Sequence, residues 1–117
     1  MLSNLEKMDD QYLKCIINIP KEQFNKAELD TFLKTKEKYK IPGMETGKIP
    51  RPIIKKYYGE AVFYEDTINS LIKDELKEIN NKYKITEDKV QEVNILQLEK
   101  NKDVVFELII QYKGENI

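Results

Sequence analysis

The side chains able to do chemistry in this 117-residue chain are few, and their types exclude a good deal. There is no histidine, which removes the commonest general base, the usual nucleophilic triads and most zinc sites. One cysteine, Cys15, permits neither an intrachain disulfide nor a thiolate cluster. Carboxylates remain; apart from Asp9-Asp10, which reads as a turn signal, they form three adjacent pairs: Glu65-Asp66, Asp74-Glu75 and Glu87-Asp88. Neighbours on a helix point about 100° apart, so the first two pairs do not converge on one substrate atom. Glu87-Asp88 lacks the spacing of a calcium loop. All three read as solvated surface charge. No catalytic residue, cofactor site or metal site is expected, and the chain is not expected to be an enzyme.

The second chemical feature is charge. Between Lys34 and Lys56 stand eight basic residues and two acids, Glu37 and Glu45, whereas beyond Tyr58 thirteen acids face eight basic residues. The basic stretch suits a surface that meets a polyanion. It suits equally the solvated end of a lysine-rich helix. Arg51 is the sole arginine, so bidentate recognition is limited. Inside this stretch lies Ile41-Pro42-Gly43-Met44-Glu45-Thr46-Gly47-Lys48-Ile49-Pro50. Pro42-Gly43 matches a type II turn, with proline setting φ and glycine supplying φ > 0. Gly47 allows a second reversal, and Pro50 holds Ile49 extended. The expected result is a projecting tip, Met44-Glu45-Thr46, between two glycine pivots. The bland alternative is a connection between helices with those three side chains merely exposed.

The elements that must position this loop follow from periodicity. Tyr12 to Ile19 alternates, with Leu13, Cys15, Ile17 and Ile19 on one side, which predicts a half-buried strand. Cys15 falls on the buried side as a small core residue. Pro20 opens a helix to about Tyr39, with Phe24, Leu29, Phe32, Leu33, Thr35 and Tyr39 on its inner half. A short helix over Pro52 to Tyr58 stops at Gly59. Tyr64 to Tyr83 carries Ile68, Leu71, Ile72, Leu76, Ile79 and Tyr83 at spacings of three and four, the clearest helical signal in the chain. Asn94 to Glu99 and Val104 to Tyr112 read as strands joined by a hairpin at Lys100 to Asp103, and Val104, Phe106, Leu108, Ile110 and Tyr112 share a face. The pattern of Met1 to Met8 does not decide between strand and helical turn. Strands at both ends and helices between them predict an α+β fold: an antiparallel sheet packed against two long helices, with a short helix and a projecting loop between them.

A chain of this length buries roughly 65% of its unfolded surface and sustains one domain, expected over residues 1–117. No apolar run approaches the roughly 20 residues of a membrane span, and the N-terminus lacks the basic and apolar segments of a signal peptide. A cytoplasmic protein with no membrane contact is expected.

The loop and its surroundings resemble a known family. Gly43-Met44-Glu45-Thr46-Gly47-Lys48-Ile49-Pro50 is similar to the signature Gly-Phe-Arg-x-Gly-x-x-Pro of the trigger factor ribosome-binding domain. Ile53-Ile54 and Tyr57-Tyr58-Gly59 match the apolar pair and aromatic-glycine ending of that family's short helix, and the upstream strand, proline and long helix fall at matching distances. The resemblance covers essentially the whole chain. It implies a ribosome-associated, chaperone-like module. Such a module docks beside the polypeptide exit tunnel through Gly43, Met44, Glu45, Thr46, Gly47, Lys48 and Pro50, on a ribosomal protein. Lys40, Arg51, Lys55 and Lys56 would face ribosomal RNA, and nascent or unfolded polypeptide would be the client. Full-length trigger factors add an isomerase domain and a substrate-holding domain, and this sequence contains neither, so no isomerase activity is expected. The sequence departs from the signature at the tip, with Met44 for the aromatic, Glu45 for the arginine and Thr46 for a position often basic. That departure leaves a second reading open: a diverged paralogue acting as a protein-interaction or self-association module, a homodimer among the options, without ribosome binding.

Overall fold

The computed structural model describes residues 2–83 and 89–111. The N-terminal segment is a strand, β1 (Leu2–Lys7). Its neighbour decides the matter: β1 pairs antiparallel with β2 (Tyr12–Ile19), setting Leu5 opposite Cys15 and Lys7 opposite Leu13. Asp9 makes the reversal, its Oδ1 accepting from the backbone N–H of Gln11 at 2.7 Å and of Tyr12 at 2.9 Å, an Asx turn. There follow α1 (Lys21–Thr35), a 3-10 turn (Lys36–Lys38), α2 (Arg51–Tyr58), α3 (Tyr64–Tyr83), β3 (Val90–Gln97) and β4 (Val104–Gln111). The sheet order is β1-β2-β4-β3, with every neighbouring pair antiparallel. This is the expected α+β class.

The chain forms two compact units, Met1–Phe24 with Ile72–Ile117, and Asn25–Leu71. In the first, the alternation of β2 buries Leu13, Cys15, Ile17 and Ile19, and that of β4 buries Val104, Phe106, Leu108 and Ile110. Register joins the two sets, with Cys15 opposite Leu108 and Ile17 opposite Phe106. Each such large side chain stabilises the fold by about 1.5–3 kcal/mol on leaving water. Ile72, Leu76 and Ile79 of α3 are buried in the same unit. Asp103, from the β3–β4 connection, holds the corner between β2 and α1. One carboxylate oxygen accepts from Lys21 N–H at 3.0 Å and the other from Asn18 Nδ2 at 3.2 Å. A carboxylate there satisfies an orphan donor and complements the helix dipole, which Pro20 has no side-chain acceptor to do.

In the second unit Ile49, Ile54 and Phe63 form a buried centre, with Phe32, Tyr39, Ile41 and Val62 packed against it. The rings meet edge to face, Phe32 and Phe63 at 5.9 Å and Tyr39 and Phe63 at 5.3 Å between centroids.

Five expectations need correction. The first long helix stops at Thr35, tightens into the 3-10 turn and is extended by Tyr39 (φ −101°, ψ 128°). Its buried stripe is Phe24, Glu28, Thr31 and Thr35, whereas Leu29 and Leu33 are 41% and 52% exposed. Hydrogen bonds make the polar stripe tolerable: Thr31 Oγ1 donates to Ala27 O at 3.0 Å, Thr35 Oγ1 to Thr31 O at 2.8 Å and Thr67 Oγ1 to Thr31 Oγ1 at 2.9 Å. The third strand runs Val90–Gln97 rather than Asn94–Glu99, because pairing with Leu108–Ile110 recruits a segment whose exposed Gln91 and Glu92 give no apolar signal. Glu75 is buried while Asp74 is exposed, so that pair is not uniformly solvated. The short helix begins one residue earlier than expected, at Arg51. Glu87-Asp88 and Tyr112 lie outside the described residues.

Candidate functional site

The loop between the 3-10 turn and α2 consists of two successive reversals. Met44 N–H donates to Ile41 O at 3.1 Å around Pro42-Gly43, and Lys48 N–H donates to Glu45 O at 3.1 Å around Thr46-Gly47. The third residue of each turn is a glycine at positive φ, Gly43 at +83° and Gly47 at +85°, the value a type II turn requires there. A Cβ on Gly43 would meet nothing within 4 Å, but one on Gly47 would run into the Glu37 carboxylate. The tip that these turns present, Met44-Glu45-Thr46, is exposed, Met44 to 40%.

Both ends of the loop are anchored. At its entry the Tyr58 hydroxyl accepts from Lys40 N–H at 3.1 Å and donates to Lys40 O at 2.8 Å. The Tyr58 ring meets Tyr39 edge to face at 5.2 Å. At its exit Ile49 is 2% exposed and Pro50, in extended backbone, starts α2. The helix ends where Gly59 N–H donates to Lys55 O at 2.9 Å. The apolar pair Ile53-Ile54 divides, Ile54 entering the core and Ile53 facing outward.

The cations of the basic stretch differ in surroundings. Lys34, Lys38, Lys40, Lys48 and Lys56 are exposed. Lys48 Nζ stands 3.5 Å from Glu45 Oε2, both side chains largely in solvent, a pair worth at most ~1 kcal/mol. Lys55 and Arg51 turn instead toward Glu28. Burial alone would lower the Lys55 pKa, but hydrogen bonds to Glu28 and Glu60 and their negative charges outweigh it, so the ammonium titrates above the ordinary lysine value. Burial pushes the Tyr64 phenol up, with Lys55 acting against the shift. In the sheet unit, burial pushes the Cys15 thiol up to about 11. Among the described residues no group of three or more His, Cys, Asp or Glu side chains is placed to hold a metal ion, and no helix is long and apolar enough to cross a membrane.

The supporting residues Glu28, Glu37, Tyr58 and Glu60 were not legible as such in the sequence. Glu28 did leave a trace, a carboxylate four residues after Phe24 and three before Thr31, in the middle of a buried stripe.

Fold and loop together define a chain of the α+β class whose second unit offers an exposed, glycine-hinged tip on a packed base. A family model described as bacterial trigger factor protein matches residues 1–115. Among curated relatives, the trigger factor of Clostridium acetobutylicum is 35% identical over 115 residues, 98% of this chain and 27% of its own length. That of Clostridium kluyveri is 40% identical over 95 residues, 78% of this chain and 22% of its own. That of Caldanaerobacter subterraneus is 32% identical over 126 aligned positions, 100% of this chain and 29% of its own. This chain belongs to the bacterial trigger factor family, and it spans about a quarter of the length of these relatives. A solved structure from work on promiscuous substrate recognition by the trigger factor chaperone superposes at a TM-score of 0.59 with 20% identity, covering 92% of this chain and 25% of that one, which speaks to the fold.

Proposed function

We propose that this domain is a non-catalytic, cytoplasmic docking module. It seats a chaperone on the ribosome beside the polypeptide exit tunnel and receives nascent or unfolded polypeptide there. The observation that carries the reading is the exposed Met44-Glu45-Thr46 tip, held between two glycine turns on a base anchored by Ile49 and Tyr58. Met44 supplies a flexible apolar contact for a ribosomal protein. Lys40, Lys48 and Lys56 are exposed and suited to RNA phosphates. Glu45 opposes an anionic surface, and its pairing with Lys48 draws on a cation next to the tip. Docking is therefore weak and salt-sensitive.

Co-sedimentation with purified ribosomes tests this. The domain is expected to cofractionate at low salt and to be released as salt rises. Glu45→Arg combined with Thr46→Lys is expected to tighten binding about tenfold, equivalent to ~1.4 kcal/mol. Absence from the ribosomal fraction at low salt refutes the reading, and binding that ignores both substitutions removes the tip from the contact.

A further inference from the structure

Two of the eight cations between Lys34 and Lys56, Arg51 and Lys55, face the buried Glu28 carboxylate. Lys55 Nζ donates to Glu28 Oε1 at 2.9 Å and lies 3.1 Å from Glu60 Oε1, with 18% of its side chain exposed. Arg51 Nη1 stands 3.7 Å from the same Glu28 oxygen and donates to Asn25 O at 3.4 Å. The Glu28 side chain is 5% exposed. Arg51 and Lys55 lie four residues apart on one face of α2, and Asn25 and Glu28 lie three apart on one face of α1, so the four residues lace the two helices over a single turn. A carboxylate this buried is tolerable only while paired, which makes the pairing restrictive about how α2 lies on α1. The two helices flank the loop, so the same contacts set the direction in which the loop leaves and returns. With Glu60 included, the cluster contains two cations and two anions and presents no net charge to a partner.

We propose that Glu28 is a positioning residue of the docking loop, holding Arg51 and Lys55 inward so that a polyanion meets Lys40, Lys48 and Lys56 instead. The inference rests on the reading of this loop as a docking surface, but its charge assignment is measurable with any polyanion.

The test is elution from immobilised heparin, alongside ribosome binding across a salt series and thermal melting. Lys56→Gln and Lys40→Gln are expected to elute at lower salt with unchanged melting. On ribosomes each is expected to flatten the slope of log affinity against log salt by about 0.7–0.9. Lys55→Gln is expected to elute with the wild type and to melt several degrees lower. Glu28→Gln is expected to elute later and to steepen the salt slope as Arg51 loses its carboxylate partner and Lys55 keeps only Glu60, a larger change than the exposed Glu65→Gln gives by removing the same single charge. Elution of Lys55→Gln as early as Lys56→Gln, or of Glu28→Gln with the wild type, overturns the assignment. If either single variant fails to fold, recovery of folding in the Glu28→Gln, Lys55→Gln pair carries the inference and non-recovery overturns it. Failure to bind ribosomes removes the docking reading alone, because the heparin series still reports which cations face outward.

Discussion

Replacing the two loop glycines separately by alanine distinguishes backbone strain from steric overlap at the tip. Both sit at nearly the same φ, +83° and +85°, so the conformational penalty for an L-residue is the same, about 1–2 kcal/mol. Alanine also restricts the unfolded chain, which returns about 0.4–1 kcal/mol, leaving a net loss of ~1 kcal/mol at each position. Their surroundings differ. At Gly43 the new methyl group meets open space. At Gly47 it would stand 2.7 Å from Glu37 Oε2 and 2.8 Å from Glu37 Cδ, so the Glu37 side chain must swing away. Moving an exposed side chain into a poorer rotamer adds ~1 kcal/mol. At ~4 °C per kcal/mol for a domain of this size, Gly43→Ala is expected to melt about 4 °C below the wild type and Gly47→Ala about 8 °C below. In a Glu37→Ala background the two glycine variants are expected to become equal, because the overlap is gone and the strain remains. Circular dichroism melts of the six proteins provide the measurement. Equal effects of the two glycine variants with Glu37 present, or melting unchanged in both, refute the turn geometry on which the tip depends. Asparagine, which accepts positive φ, is expected to be milder than alanine at Gly43.

Three further outcomes follow from the packing. Ile49→Ala, removing a 2%-exposed side chain from the centre it forms with Ile54 and Phe63, is expected to destabilise the protein by about 3 kcal/mol in urea titration, and a loss under 1 kcal/mol contradicts the anchoring of the loop exit. Tyr58→Phe deletes both hydrogen bonds to Lys40, and amide exchange at Lys40 is expected to accelerate while the melting temperature falls by only a few degrees; unchanged exchange rejects the staple. Cys15 is expected to resist thiol reagents at pH 8 in the folded protein and to react on unfolding. Its thiol goes from 9.0 unfolded to about 11 folded, so the folded state binds the extra proton between these values. The stabilisation is therefore complete below pH 9 and lost as pH rises toward 11. The stability advantage of the wild type over Cys15→Ala is expected to shrink by ~3 kcal/mol across that window, and a pH-independent difference counts against the burial.

The sequence by itself determined whatever depends on near neighbours. Alternation in Leu13, Cys15, Ile17 and Ile19 specified a one-faced strand, and the apolar spacing from Ile68 to Ile79 specified a helix, because side-chain direction repeats every two or 3.6 residues whatever the partner. Pro42-Gly43, Gly47 and Pro50 specified the shape of the loop, because proline and glycine restrict or release φ locally. Tertiary structure decided whatever needed a distant partner. Leu2–Lys7 became a strand only through its register with β2, and Val90–Val93 joined a strand only through β4. Leu29 and Leu33 were left outside while Glu28 and Thr31 went in, because the environment of α1 offers Lys55 and Thr67, whose hydrogen bonds offset the burial of polar atoms. For the same reason Lys55, indistinguishable by type from Lys56 beside it, turns into the fold while its neighbour faces solvent. Helical neighbours point about 100° apart, and only the three-dimensional position of Glu28 determines which of the two is captured.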